Sequence, residues 1–292
     1  MPTNAELEHA IVLLEAYIDL CKIEITRLGG VIPNQDVPPP PPPVVRKTII
    51  GISGTTNVDG FARRIFDNGK GISFVPTRPA RCPRVHVSWK GVAVPTDTSI
   101  VAAFKNLVDG DKVEMEHEHD VDWRKAGGNA AADTALKARI AVKDGFHAAV
   151  VRLRDAGKIP KVHTVCTLSS FSFMPANIAS IDKFLCKADV LGADLDGDDA
   201  SVGGYMNYGD PVRLTNIRLI ADRKFGGRWT APEHGWANTK VGERLAHFRQ
   251  TIPAIAKFGP EEIMVFNSAG FAPVLTSAEL VELVAIAKPF NG

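Results

Sequence analysis

The sequence predicts an α/β protein: a (β/α)8 TIM barrel over residues 48–292, preceded by an N-terminal coiled-coil helix and a polyproline linker. Three observations carry this expectation. After residue 44, eight strand-like runs alternate with helical patterns, which implies parallel strands joined by crossover helices. This part of the chain is close to the roughly 250 residues of a typical barrel. Ahead of it stand an apolar heptad pattern and six consecutive prolines, Pro38 to Pro43. A doubly wound open sheet is the competing architecture, and the strand count and length favour the barrel.

In chain order, residues 1–30 hold one expected helix, over 4–29. Asn4 can cap its start and Gly29-Gly30 stops it. Leu7, Ile11, Leu14, Ile18, Cys21, Ile25 and Leu28 alternate four and three apart, a coiled-coil seam. Ile at the a positions suits a parallel dimer. Val12, Leu13, Tyr17, Leu20 and Ile23 widen the apolar face, which suits a trimer, another protein or back-folding onto the barrel. Residues 31–47 are a linker whose prolines hold an extended helix rising about 3.1 Å per residue, a semi-rigid spacer. The barrel strands are expected at 48–54, 71–77, 84–90, 112–119, 161–168, 189–196, 228–233 and 262–268. Helical patterns fall at 100–108, 132–156, 178–186, 211–223, 241–258 and 278–288.

Composition is that of an ordinary globular chain, with 45% hydrophobic and 23% charged residues. The formal net charge of +1 leaves no basic excess for phosphates, so nucleic acid is not an expected partner. No apolar stretch is long enough to insert in a membrane. The start, Met1 to Glu8, lacks the basic and apolar regions of a signal peptide, so synthesis in a cytoplasm without the usual export is expected. The four cysteines have no metal-binding or framework spacing and read as free thiols. No cofactor and no metal is expected.

The chemistry is expected at the carboxyl ends of the strands. Glu118 closes the fourth run and Glu233 the seventh, the pair of carboxyl groups that glycoside hydrolysis requires. Alternation along the fourth run turns Val113 and Met115 outward and Glu114, Glu116 and Glu118 toward the axis. In the sixth run, Leu191, Ala193 and Leu195 face outward, and Asp194 and Asp196 face inward. His86 and His117 fall within strands. Trp89, Trp123, Trp229 and Trp236 stand near strand ends, where flat rings suit sugar rings. Substrate binding is therefore expected of His117, Trp89, Trp123, Asp194, Asp196, Trp236 and His86. A metal set of His117, His119, Asp120, His163 and His234 is the lesser alternative. Asp194 to Asp199 resembles a calcium loop but lacks its closing glutamate.

The segment His117-Glu118-His119-Asp120-Val121-Asp122-Trp123 resembles the His-Glu-x-x-x-x-Trp signature of glycoside hydrolase family 26, the mannanase-like branch of clan A. The resemblance implies Glu118 as general acid/base, Glu233 as nucleophile and His117 as their orienting neighbour. It also implies retention of configuration, with carboxyl groups about 5–5.5 Å apart. His119-Asp120 stands where the family has Met-Asn, and Glu233-His234-Gly235 where it has Glu-Phe-Gly. The layout of stem, spacer and barrel also resembles minor tail proteins of phages infecting actinobacteria. That implies a virion location, a cell-wall glycan as ligand, and partners among copies of itself and other tail proteins. A catalytically idle barrel used for glycan binding is the alternative.

Overall fold

The computed structural model describes residues 47–54, 58–196, 211–235, 244–267 and 274–291. The chain divides into two units, Met1–Val44 and Val45–Gly292. All described residues belong to the second, so the expected coiled coil and nearly all of the linker lie outside them.

Eight parallel strands close into a barrel in chain order: β1 (Ile49–Gly54), β2 (Ala62–Phe66), β3 (Val85–Trp89), β4 (Lys112–Met115), β5 (His163–Ser169), β6 (Val190–Asp196), β7 (Trp229–Gly235) and β8 (Glu262–Asn267). β8 pairs with β1 along its whole length, from Ile49 opposite Glu262 to Gly54 opposite Asn267. The described helices are α1 (Asp97–Ala103), α2 (His119–Lys125), α3 (Ala130–Asp155), α4 (Pro211–Lys224), α5 (Arg244–Ala256) and α6 (Ser277–Asn291). Among the described residues no helix is long and apolar enough to cross a membrane.

Local sequence explains the best-formed elements. α3 starts where Asn129 Oδ1 accepts the Ala132 N–H at 3.0 Å, which satisfies one of the donors left over at a helix start. Asp133 in its first turn and Arg152 and Arg154 in its last complement the helix dipole. It stops at Gly157, which takes a left-handed φ of 66°. Its buried face is Leu136, Phe146, Val150 and Leu153, at the expected helical spacing.

Two strand assignments are corrected. The second strand is Ala62–Phe66, not residues 71–77. Gly71 sits at a positive φ and opens a short 3-10 turn, and Pro76 and Pro79 follow, so that run cannot supply a ladder. The connection from β1 is only residues 55–61, too short for a helix. The alternation that reveals most of the barrel therefore skips β2. β4 ends at Met115 rather than running to His119, because Glu116 and Glu118 take left-handed φ values of 61° and 45°.

The outward wall is apolar. Val113, Met115, Val85, Val87 and Trp89 pack against Ile100, Phe104, Phe146 and Val150. Leu191, Ala193 and Leu195 join a second cluster with Leu214, Ile217 and Phe248. Each fully buried aliphatic or Phe side chain contributes about 1.5–3 kcal/mol. The inside is polar, where barrels of this type usually stack Val, Ile and Leu. At the amino-terminal end Lys112 lies fully buried, with its Nζ 2.7 Å from Glu262 and 3.1 Å from Glu261. Toward the other end stand Arg64, His86, Ser88, Glu114, Thr167 and Asp194, all 5% exposed or less.

Three histidines outside the candidate site are held neutral. Burial lowers His234 to about 3 and His247 to about 4; burial and Arg228 lower His163 to about 4. Below its ordinary pKa each takes up a proton when unfolded but not when folded. Their stabilisation is complete above about pH 6.5 and is lost as pH falls toward the folded values. The urea midpoint is expected to drop between about pH 6.5 and pH 4, and His234→Gln to flatten that slope. An unchanged slope in the variant would exclude His234 as a contributor.

Candidate active site

Glu114, on β4, is the hub of the barrel interior. It points to the axis, as strand alternation requires. Its Oε1 accepts from the Ser88 hydroxyl and from Arg64 Nη2 at 2.6 Å; its Oε2 accepts from the Thr167 hydroxyl. Thr167 comes close because residue 192 on the neighbouring strand is glycine: a Cβ there would collide with Thr167 Oγ1. Burial pushes the Glu114 carboxyl up, but Arg64 and His117 outweigh it and hold the group well below the usual carboxylate range.

Arg64, on β2, extends along the axis with no exposed surface. Its Nη1 donates to Glu233 Oε1 at 2.8 Å and lies 3.9 Å from Asp194 Oδ1. Nη2 reaches Glu114 and lies 2.7 Å from His117 Nδ1. The guanidinium also sits 4.6 Å from the Phe66 ring centroid. One arginine thus joins the carboxylates of β4, β6 and β7. Sequence reasoning missed it together with β2. The available signal was Arg63-Arg64 between apolar neighbours: in a strand, two adjacent arginines face opposite ways, so one must enter the barrel.

His117 and Glu118 follow β4 in the left-handed segment. The turn is secured from outside the barrel: Lys143 Nζ, fully buried, donates to the Glu116 carbonyl at 2.5 Å. Asp120 accepts from the Ser169 N–H and from the Ser169 and Ser172 hydroxyls, pinning the start of α2 to the end of β5. The twist breaks strand parity and swings His117 into the barrel mouth, where a regular strand would have turned it outward. Its Nε2 lies 2.5 Å from Asp194 Oδ2, 3.7 Å from Glu233 Oε1 and 3.9 Å from Glu118 Oε2. Burial opposes the imidazolium charge and so does Arg64, but Asp194, Glu114 and Glu233 outweigh them and raise the His117 pKa well above its ordinary value. Glu118 Oε2 and Glu233 Oε1 approach one nitrogen, so these two oxygens lie no further apart than those two distances combined. Glu233 is 7% exposed and is also held by Arg64. The Glu118 side chain keeps 23% of its surface open.

The other expected site residues are dispersed. Glu116 leaves the axis: its Oε1 accepts the Gly91 N–H at 3.1 Å. His86 is fully buried one layer below the mouth, with Nε2 3.7 Å from Glu114, and is shielded from a glycan. Trp89 faces the helices, stacked on Phe104 at 5.2 Å, with Nε1–H donated to the Phe74 carbonyl. Trp123 lies on α2, its Nε1–H donated to Asp133 at 2.6 Å and Lys183 Nζ 3.5 Å from its ring. Trp229 begins β7 at the far end of the barrel and is fully buried. The expected row of aromatic platforms therefore does not form among these three; their rings serve packing because each finds an apolar neighbour or a carbonyl behind the wall. The Asp196 side chain and Trp236 lie outside the described residues, as does the calcium-like loop beyond Asp196.

The five-residue metal set does not assemble. His119 is buried behind the wall between Phe184 O at 2.5 Å and Lys143 Nζ at 3.1 Å; burial, and then the Lys143 charge, hold its pKa well below the ordinary value. His163 lies at the amino end of β5, and His234 faces α5 through Thr251 at 2.8 Å. Among the described residues one group has metal-ligand spacing: His117, Glu118 and Asp194, within 4.8 Å of one another. Its imidazole is already engaged by Asp194, and the Arg64 charge beside it disfavours a further cation.

No protein-family model matches the chain, and no curated protein matches it. Solved structures do. A GH26 β-mannanase from Bacteroides ovatus, BoMan26A, aligns with TM-score 0.52 at 12% identity, over 84% of this chain and 90% of that one. GH26C from a Muricauda species gives 0.49 at 10% identity, over 82% and 86%. A GH128 exo-β-1,3-glucanase from Aureobasidium namibiae gives 0.39 at 14% identity, over 66% and 70%. At these identities the likeness is one of fold. The chain carries a (β/α)8 barrel, the fold of that β-mannanase. In this particular barrel, a buried arginine and a histidine join carboxylates contributed by β4, β6 and β7.

Proposed function

We propose that this barrel is a retaining glycoside hydrolase acting on a bacterial cell-surface polysaccharide. The observation that carries the reading is the convergence of Glu118 and Glu233 on His117 Nε2, at 3.9 and 3.7 Å. Glu118, the more open carboxyl, donates its proton to the leaving oxygen. Glu233, held by Arg64, attacks the anomeric carbon. Water activated by Glu118 then releases the sugar from Glu233. The upper limit on their separation accommodates the roughly 5–5.5 Å of retaining enzymes. Arg64 and His117 hold the Glu233 carboxylate in place, at 2.8 and 3.7 Å.

The heptad stem and proline spacer favour a phage-tail setting, in which residues 1–30 oligomerise and dock to other tail proteins while the barrel meets the cell wall. Reducing-end release is measured on β-mannan and on purified bacterial cell-wall polysaccharide, and the anomer formed first is read by proton NMR. Turnover with retained configuration is expected. Inverted product would remove Glu233 as nucleophile. Binding without turnover would make the barrel an idle recognition module.

A further inference from the structure

We propose that the amino-terminal end of the barrel carries a second ligand site, one that binds an oxyanion group on a small molecule through Arg84, Arg228, His163 and Lys47. These side chains line a cavity of about 330 Å³ with Gly110 and Glu261. That volume falls at the lower end of the roughly 300–1,000 Å³ typical of ligand sites and exceeds the needs of a bare ion. The cavity lies at the starts of β4, β5, β7 and β8, the opposite end from Glu118 and Glu233.

The charge balance is positive. Arg84, Arg228 and the buried Lys112 stand against Glu261 and Glu262, three cations to two anions. The single acid in the lining is already engaged: Glu261 accepts from Arg228 at 2.7 Å and lies 3.1 Å from Lys112. Asp189, nearby, is balanced by Arg154 at 3.0 Å. The donors of Arg84 and His163 are under-used. Among the described residues the Arg84 side chain meets only Glu262, at 3.5 Å from Nε, which leaves its two terminal nitrogens for a ligand. Arg228 Nη1 donates to His163 Nδ1 at 3.1 Å, which makes that nitrogen the acceptor and puts the imidazole hydrogen on Nε2. His163 Nε2 has no partner among the described residues. A planar guanidinium, a neutral N–H and a lysine around one cavity suit phosphate, sulfate or a sugar carboxylate. The excess of cations over carboxylates at this end of the barrel supplies the attraction.

Calorimetry on the full chain with inorganic phosphate, inorganic sulfate and glucuronate separates the three sources of that chemistry. Binding of at least one is expected, weakening with added salt. Arg84→Gln is expected to weaken it about tenfold or more, and Glu118→Gln to leave it unchanged. Lys47→Gln, at an exposed position, weakens it less and serves if the Arg84 variant does not fold. Bound anion should also move the His163 NMR titration upward. Failure of all three anions to bind, or equal affinity in both variants, overturns the proposal. Neither result bears on glycan hydrolysis, which is read at the other end of the barrel.

Discussion

Replacing Arg64 with methionine is expected to destabilise the fold by about 3–5 kcal/mol, measured as a fall in the urea midpoint. Arg64 is fully buried and contacts Glu114 at 2.6 Å and Glu233 at 2.8 Å. Removing it leaves Glu114, Asp194 and Glu233 around the axis with His117 as the one remaining cation among them in the described residues. Glu114 and Asp194 have no exposed surface, so the loss is that of a broken buried pair rather than of a surface bridge. The double variant Arg64→Met with Glu114→Gln is expected to recover part of the loss, because the two changes share one network. A loss below about 1 kcal/mol in the single variant would show that the carboxylates are satisfied without the arginine.

Glu118→Gln is expected to slow polysaccharide hydrolysis by about 10²–10⁴-fold, the usual contribution of a positioned acid. The effect should depend on the leaving group. A sugar alcohol leaves poorly without a proton, whereas a nitrophenolate leaves unaided, so an activated aryl glycoside should keep a much faster first step. Glu233→Gln removes the nucleophile and should silence both substrates while glycan binding, followed by calorimetry, persists. Equal losses on both substrates in Glu118→Gln would take the acid role from Glu118. Wild-type rates in Glu233→Gln would do the same for the nucleophile.

The sequence and the structure agree unevenly, and the pattern has a physical cause. Outward positions were readable from alternation: Val113, Met115, Leu191, Ala193 and Leu195 are buried in the wall as expected. The strand count was right although one strand was misplaced, since residues 71–77 look apolar while β2 carries two arginines. Of the site, Glu114 and Asp194 were placed inward by parity alone. The tryptophans misled because proximity to a strand end in sequence says nothing about which side of the wall a ring takes. Trp89 has the outward parity of Val85 and Val87, and Trp229 belongs to the other end of its strand.

What could be read from the chain itself is periodic: seven of the eight strands, the helices between most of them, and carboxylates that strand parity turns inward. Those properties depend on neighbours close in sequence. Contacts across the barrel decided the rest. Arg64 becomes a hub only because β2, β4, β6 and β7 enclose one axis. His117 reaches Glu118, Asp194 and Glu233 only because Lys143 and Asp120, bonded to partners far along the chain, hold the left-handed turn after β4. A local pattern sets which face a side chain takes in regular structure. A turn that leaves regular structure is set by the tertiary hydrogen bonds that hold it.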